Sequence, residues 1–407
     1  MKKPVNKIEK LIGEMCPDGV EFKALGEVAD YRRGSFPQPY GERKWYDGDN
    51  AMPFVQVADV AENMRLVDNT KRKISKLAQP KSVFVPAETV IVTLQGSIGR
   101  VAITQYDSYV DRTLAIFESY KREINIKYFS YQLESKFNIE KENARGSTIK
   151  TITKEEFTKF KIPIPPLAIQ KEIVKILDNF TELEAELEAE LEARKKQYEH
   201  YRGELLSFDD GVEFKALGDC INFKNGKGHE KNIDENGEYI VVNSKFVSTE
   251  GRVRKYSVEQ ICPVFLNDIL MVMSDLPNGK ALAKCFYVDE NYKYTLNQRI
   301  CALTVEDNDD LNTKYLFYIL SRNRQLLRYD NGADQTNLRQ NDVLKIKIPI
   351  PPLAEQKRIV SILDKFDALV SDISIGLPAE IKARKKQYEY YRNQLLTFTP
   401  LEKQDAG

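Results

Sequence analysis

One stretch of this sequence occurs twice, and no single compact domain accommodates both copies. From Lys161 the chain runs KIPIPPLAIQKEIVKILDNF and then, after an interval, ARKKQYEHYRGELLSF to Phe208; from Lys347 it runs KIPIPPLAEQKRIVSILDKF and later ARKKQYEYYRNQLLTF to Phe398. Each copy reads as helix. Pro165-Pro166 and Pro351-Pro352 hold the lead-in extended, and a helix starts readily after them because its first amides have no intrahelical partner to lose. Apolar residues then fall at Ile173, Ile176, Phe180, Leu183, Leu187 and Leu191, and again at Tyr198, Tyr201, Leu205 and Phe208. Steps of three and four suit a coiled-coil seam and exclude a strand.

Between Glu182 and Ala193 the tetrapeptide ELEA stands three times, all strong helix formers. Leu183, Leu187 and Leu191 follow at steps of four, one more than a strict heptad allows, which predicts a local stutter. In the second copy Gly376-Leu377-Pro378 stands at this level, a stop and restart that predicts a broken helix. At about 1.5 Å per residue the unbroken helix spans roughly 60 Å, too long for one small domain to cover.

A second repeat frames the first. GVEFKALGEV begins at Gly19, and GVEFKALGDC begins at Gly211, just after the first long helix. The unit is therefore a globular head followed by a helix, used twice. Short apolar or alternating runs such as MPFVQVADV, SVFVPAETVIVTL and YVDRTLAIF predict strands in the first head, with a helix over about 127–142. EYIVVNSKFVS, DILMVMSD and YTLNQRICALT repeat that order, followed by a helix from Thr313. The expected fold class is α+β: two α/β heads separated by two long helices that form an antiparallel coiled coil, with an internal pseudo-two-fold repeat. The expected segments are an N-terminal helix at 1–18, heads at 19–160 and 209–346, helical regions at 161–208 and 347–399, and a tail at 400–407.

Catalytic chemistry is thinly supplied. The 407 residues contain no G-x-x-x-x-G-K-[ST] and no G-x-G-x-x-G between strand and helix, and only His200 and His229 are available for imidazole chemistry. Cys16, Cys220, Cys262, Cys285 and Cys301 lack C-x-x-C spacing and read as reduced thiols. No apolar run approaches a membrane span and no signal-peptide core follows Met1, so a cytoplasmic location is expected. The formal net charge is zero, although the six glutamates of the ELEA tract offset basic residues elsewhere. No metal site and no active site are expected.

The heads carry polar side chains at strand ends instead. In the first, Gln56, Gln95, Ser97 and Arg100, then Arg145, Ser147 and Lys150, accompany glycines that permit close backbone approach. In the second, Asn243 and Lys245, Asn278 and Lys280, Asn297, Gln298 and Arg299, then Gln335, Asn337 and Arg339 follow in the same order. Lys71, Arg72 and Lys73, and Lys224 and Lys227 in the KNGKG loop, suit phosphate oxygens. Any one of these also suits a hydrogen-bonded turn or a solvated face; the recurrence at matching places is what singles them out.

The doubled PIPPLA-x-QK…IVxILDxF lead-in, the tetrapeptide-repeat helix, the RKKQYxxYR exit and the GVEFKALG restart resemble the DNA-specificity subunit of type I restriction-modification enzymes. The resemblance covers essentially the whole chain and implies two target-recognition domains, each reading half of a split double-stranded DNA sequence. It implies no catalysis by this chain and no cofactor of its own. The partners implied are two methyltransferase subunits using S-adenosylmethionine and two restriction or translocase subunits using ATP and Mg. Leu183, Leu187, Leu191, Tyr198, Tyr201, Tyr388 and Tyr391 are the helix positions expected to dock partners. From the residues alone, the alternative is a helical interaction scaffold with two peptide- or protein-binding heads.

Overall fold

In a computed structural model, the described residues are 5–61, 63–143, 154–209, 211–277, 279–306, 309–371 and 376–401. The chain divides into two compact units, one of residues 1–188 with 381–407 and the other of residues 189–380. Each unit joins a head to helix from both copies of the repeated stretch.

In order, the first unit contains α1 (Val5–Met15), β1 (Phe22–Ala24), α2 (Leu25–Val28), β2 (Ala29–Arg33), β3 (Met52–Val55), β4 (Arg72–Ile74), β5 (Val83–Val85), β6 (Val90–Thr93), β7 (Val101–Ile103), β8 (Ser108–Val110), β9 (Leu114–Tyr120), α3 (Ile126–Asn143), α4 (Lys154–Thr158) and β10 (Lys161–Pro163). Helix α5 (Leu167–Leu205) starts there and continues into the second unit. The second unit goes on with β11 (Phe214–Ala216), β12 (Ile221–Asn225), β13 (Tyr239–Val242), α6 (Ser244–Ser248), β14 (Tyr256–Ser257), β15 (Ile269–Val272), β16 (Ser274–Asp275), β17 (Cys285–Tyr287), β18 (Tyr294–Leu296), β19 (Ile300–Val305), α7 (Thr313–Leu320), α8 (Arg324–Leu327), β20 (Thr336–Asn337), α9 (Gln340–Leu344), β21 (Lys347–Pro349) and α10 (Leu353–Ser371). Helix α11 (Leu377–Leu396) closes the order.

The two heads share the centre of one topology despite little shared sequence. Sheet β2-β9-β6-β7 matches β12-β19-β15-β17, and the parallel pair β3·β8 matches the parallel pair β13·β18. Between the sheets of the first head pack Val55, Val85, Ile91, Ala102 and Ile116, and in the second Val242, Leu270, Val272, Leu296 and Ala302. The framing words turn out to be partners. GVEFKALG supplies β1 and β11, KIPIPP supplies β10 and β21, and the two pair antiparallel in each unit, Phe22 with Pro163 and Phe214 with Pro349. Each word recurs because each is half of one small sheet at the neck of its head.

The proline-led helices are fixed by a buried glutamine. Gln170 accepts from the Asn125 amide at 2.8 Å and donates to the Pro165 carbonyl at 2.7 Å. Gln356 accepts from the Asn312 amide at 2.8 Å and donates to the carbonyls of Pro351 and Asp310, both at 2.8 Å. Tyr128 and Tyr315 donate to the Pro163 and Pro349 carbonyls, and Tyr131 and Tyr318 to Asp178 and Asp364 of the ILDxF words. Burial, then the neighbouring carboxylate, lifts the Tyr318 phenol far above its ordinary range, so it remains a donor. The shared K-Y-x-x-Y of α3 and α7 thus belongs with the framework words, a pattern that sequence inspection passed over.

Helix α5 buries Ile169, Gln170, Ile173, Val174, Ile176 and Leu177 in its first turns. Beyond them, in the first unit, Phe180 meets Tyr388 and Tyr391 at 6.3 and 5.4 Å between ring centroids, and Lys385 reaches Glu184 and Glu188 at 3.1 and 2.9 Å. One helix rises from 180 to 188 as the other falls from 391 to 385, so they run antiparallel. In the second unit Tyr198 and Tyr201 meet Phe366 at 6.3 and 5.6 Å. The seam differs from expectation. Leu183 is 45% exposed, and the half-buried series along the seam is Phe180, Glu184, Leu187, Leu191, Arg194 and Tyr198, with Gln197 half-buried beside its end. Their steps are four, three, four, three and four, so no stutter is needed. Glu184 takes the place assigned to Leu183 because Lys385 neutralises it. In the second copy Gly376 is a bend and α11 begins at Leu377, where the restart is expected.

Candidate nucleic-acid interface

At one end of each head, loops separated in sequence are tied by the same backbone hydrogen bonds. In the second head, Gly226 N donates to Ile300 O, Lys227 N to Leu296 O, Asn297 N to Val242 O and Met273 N to Arg299 O, at 2.9–3.1 Å. In the first, Gly34 N donates to Leu114 O, Ser35 N to Val110 O, Asp111 N to Val55 O and Leu94 N to Thr113 O, again at 2.9–3.1 Å. Both clusters need a glycine at the strand end. A Cβ on Gly34 would stand 2.1 Å from the Val110 carbonyl oxygen, and one on Gly226 1.9 Å from that of Asn297.

In the second head this brings most of the expected residues together. The turn Asn297-Gln298-Arg299 lies at the centre, with Gln298 donating to Glu230 at 3.3 Å and both Gln298 and Arg299 exposed. Pairing of β16 with β20 sets Ser274 opposite Asn337, and Gln335 donates to the Ser274 hydroxyl at 2.8 Å. Lys227, Lys245, Lys280, Asn337 and Arg339 are exposed around it. Asp275 stiffens the neighbouring loop by accepting from the amides of Leu276, Ala281 and Leu282. Two side chains are occupied internally: Asn243 caps α6 by accepting from the Phe246 amide, and Lys224 donates to the Pro263 carbonyl at 2.7 Å. Asn278 lies outside the described residues. His229, fully buried, bridges the Lys227 carbonyl and the Thr295 hydroxyl, both at 2.7 Å, and holds the KNGKG loop against β18.

In the first head the turn is Asp111-Arg112-Thr113, which sequence inspection did not single out. Asp111 is buried and accepts from the Thr113 amide at 3.0 Å, the Thr113 hydroxyl at 2.6 Å and the Tyr40 hydroxyl at 3.1 Å. Burial and then Asp111 push the Tyr40 phenol well above its ordinary range, so it stays protonated. Gln56 donates to Tyr40, and the buried Asp59 joins Gln56 to Lys71 by accepting from both backbone amides. Lys71, Arg72 and Lys73 are exposed on or beside β4, with Arg72 4.7 Å over the Tyr46 ring. The β6–β7 hairpin presents Ser97 exposed and Gln95 half-buried, while Arg100 turns back to the Val60 carbonyl at 3.3 Å. Arg145, Ser147 and Lys150 lie outside the described residues. The signal that would have found the central turn was an alignment of VDRTLAI with LNQRICA.

Among the described residues no group of three or more His, Cys, Asp or Glu is placed to hold a metal ion, and no helix is long and apolar enough to cross a membrane. The helix positions expected to dock partners range from exposed, at Leu183 and Tyr201, to half-buried at Leu187, Leu191, Tyr198, Tyr388 and Tyr391.

The family model for the type I restriction modification DNA specificity domain matches residues 17–193 and again 209–383. The chain belongs to the type I restriction-modification DNA specificity family. It is a specificity subunit rather than an enzyme. It is 30% identical over 383 residues to the EcoprrI specificity subunit of Escherichia coli, covering 89% of this chain and 91% of that one. It is 38% identical over 267 residues to the EcoR124I/EcoR124II specificity subunit of Escherichia coli, covering 60% of this chain and 64%, just under two thirds, of that relative. A chain from a type I restriction-modification system solved for its complex assembly and conformational transition aligns with a TM-score of 0.65 at 15% identity, covering 93% of this subunit and 98% of that chain. The S subunit from M. genitalium aligns at 0.51 and 17% identity, covering 93% and 96%. At those identities the likeness establishes the fold of the specificity subunit.

Proposed function

We propose that this specificity subunit binds double-stranded DNA through the loop clusters of its two heads, each reading one half of a bipartite target. The carrying observation is the identical set of backbone bonds that gathers exposed polar and basic side chains at the same end of two heads with different sequences. One framework with two dissimilar surfaces suits two different half-sites. The long helices then set the spacer and dock two methyltransferase subunits, which use S-adenosylmethionine, with two ATP- and Mg-dependent restriction subunits joining the full complex. The chain itself contributes recognition only.

The test is DNA binding and methylation by the subunit with and without its methyltransferase partner, across a salt titration. Expected are sequence-selective methylation at a split motif by the complex, none by the isolated subunit, and an affinity that falls steeply with salt as phosphate contacts release counterions. Salt-independent binding, or methyl transfer by the isolated subunit, would overturn the reading.

A further inference from the structure

We propose that Arg112 is a base-reading side chain of the first head and that the base it reads is guanine. This deepens the DNA-binding reading above and rests on it. Arg112 occupies the tip of the β8–β9 turn, the place that Gln298 holds in the second head. The backbone on both sides is pinned, at Asp111 by the Val55 carbonyl and at Thr113 by the Leu94 amide. The side chain is exposed, and among the described residues no protein group takes up its guanidinium. Asp111, the adjacent acid, does not neutralise it, because that carboxylate is buried and turned to Thr113 and Tyr40. A rigid turn therefore offers a permanently charged fork of donors at the centre of the loop cluster.

Two other arginines of this head are placed differently. Arg100 is spent on a backbone carbonyl, and Arg72 lies over Tyr46 on the edge strand, a position suited to phosphate. The chemistry at Arg112 selects the base. A guanidinium donates twice and accepts nothing, which fits the O6 and N7 acceptors of guanine in the major groove and mismatches the donor-acceptor pair of adenine. Holding the backbone of the turn in place beforehand removes the cost of ordering the loop, so only the side chain of Arg112 has to be ordered on binding.

The experiment uses the complex with the methyltransferase subunits and reads both the methylated motif and binding to duplexes carrying single base changes. Arg112→Ala should lose selection at one guanine of one half-site, leave the other half-site unchanged, and weaken cognate binding by about 10- to 100-fold. Replacing that guanine by 7-deazaguanine, which lacks the N7 acceptor but still pairs with cytosine, should weaken the native complex and leave Arg112→Ala unaffected. Arg112→Lys, which keeps the charge and loses the fork, should also relax selection. Arg72→Ala should instead weaken all sequences alike and lower the salt slope by about one. A native complex with a defined motif that Arg112→Ala leaves intact overturns this assignment alone, as does a sequence-independent loss like that of Arg72→Ala. A native complex with no motif at all overturns the proposed function together with it.

Discussion

Replacing the buried Gln356 by alanine takes the partner from three backbone groups at once, the buried Pro351 carbonyl and the less buried Asn312 amide and Asp310 carbonyl. A buried group left without its partner costs about 1–3 kcal/mol, so Gln356→Ala should destabilise the second unit by about 2–4 kcal/mol. Hydrogen exchange checks it, with protection lost first at the amides of Asn312 and Tyr315, where α7 begins. Asp111→Ala is the counterpart in the first head: the Thr113 amide and hydroxyl and the Tyr40 phenol all lose their acceptor. The single tryptophan of the chain, Trp45, lies in the small core that Tyr40 packs against, so its fluorescence reports that head alone. A fall of about 2 kcal/mol in urea-unfolding free energy is expected from that signal. Neither role was legible in the sequence. A glutamine in PPLAxQK and an aspartate in YVDRTL declare their letters but not their partners, which come from 44 residues away for Gln356 and Asn312 and 71 for Asp111 and Tyr40.

At the level of elements, the repeated words were legible because they are local: prolines that start helices, ELEA that continues one, Gly376 just before the other restarts. Seam register was not, since it depends on which residue the facing helix neutralises. With Glu184 rather than Leu183 in the seam, the ELEA tract already keeps the alternation of threes and fours. Deleting Glu186 to Ala189 therefore does not tidy the seam; it sets two three-steps in succession after Glu184, which overwinds the pair locally. The deletion shortens α5 by about 6 Å and turns the C-terminal remainder of the helix by roughly 40°. Under the proposed function, the methylated motif of such a variant should keep both half-sites while its spacer shrinks by one or two base pairs, at reduced thermal stability. Sequencing of methylated DNA reads the first effect and a melting curve the second; an unchanged spacer at full activity would show that the tract sets no distance.

For the whole molecule, the informative fact is which helices pair. Phe180 of the first ILDxF word meets the tyrosines of the second RKKQYxxYR word, and Phe366 of the second meets those of the first. A chain ended at Phe208 would hold the first head and its own RKKQYEHYR but lack α11. Two such chains should supply each other's missing partner and sediment as a dimer; a folded monomer would show that α11 is dispensable. The same exchange governs the order in which the protein is built. Residues 381–401, which complete the first unit, leave the ribosome after all of the second. At about 5–20 residues per second, the intervening 189–380 take roughly 10–40 s to synthesise. Throughout that interval Ile173, Val174, Ile176 and Phe180 wait with one flank uncovered, so the part made first is finished last, and it is the nascent chain's window for chaperone capture.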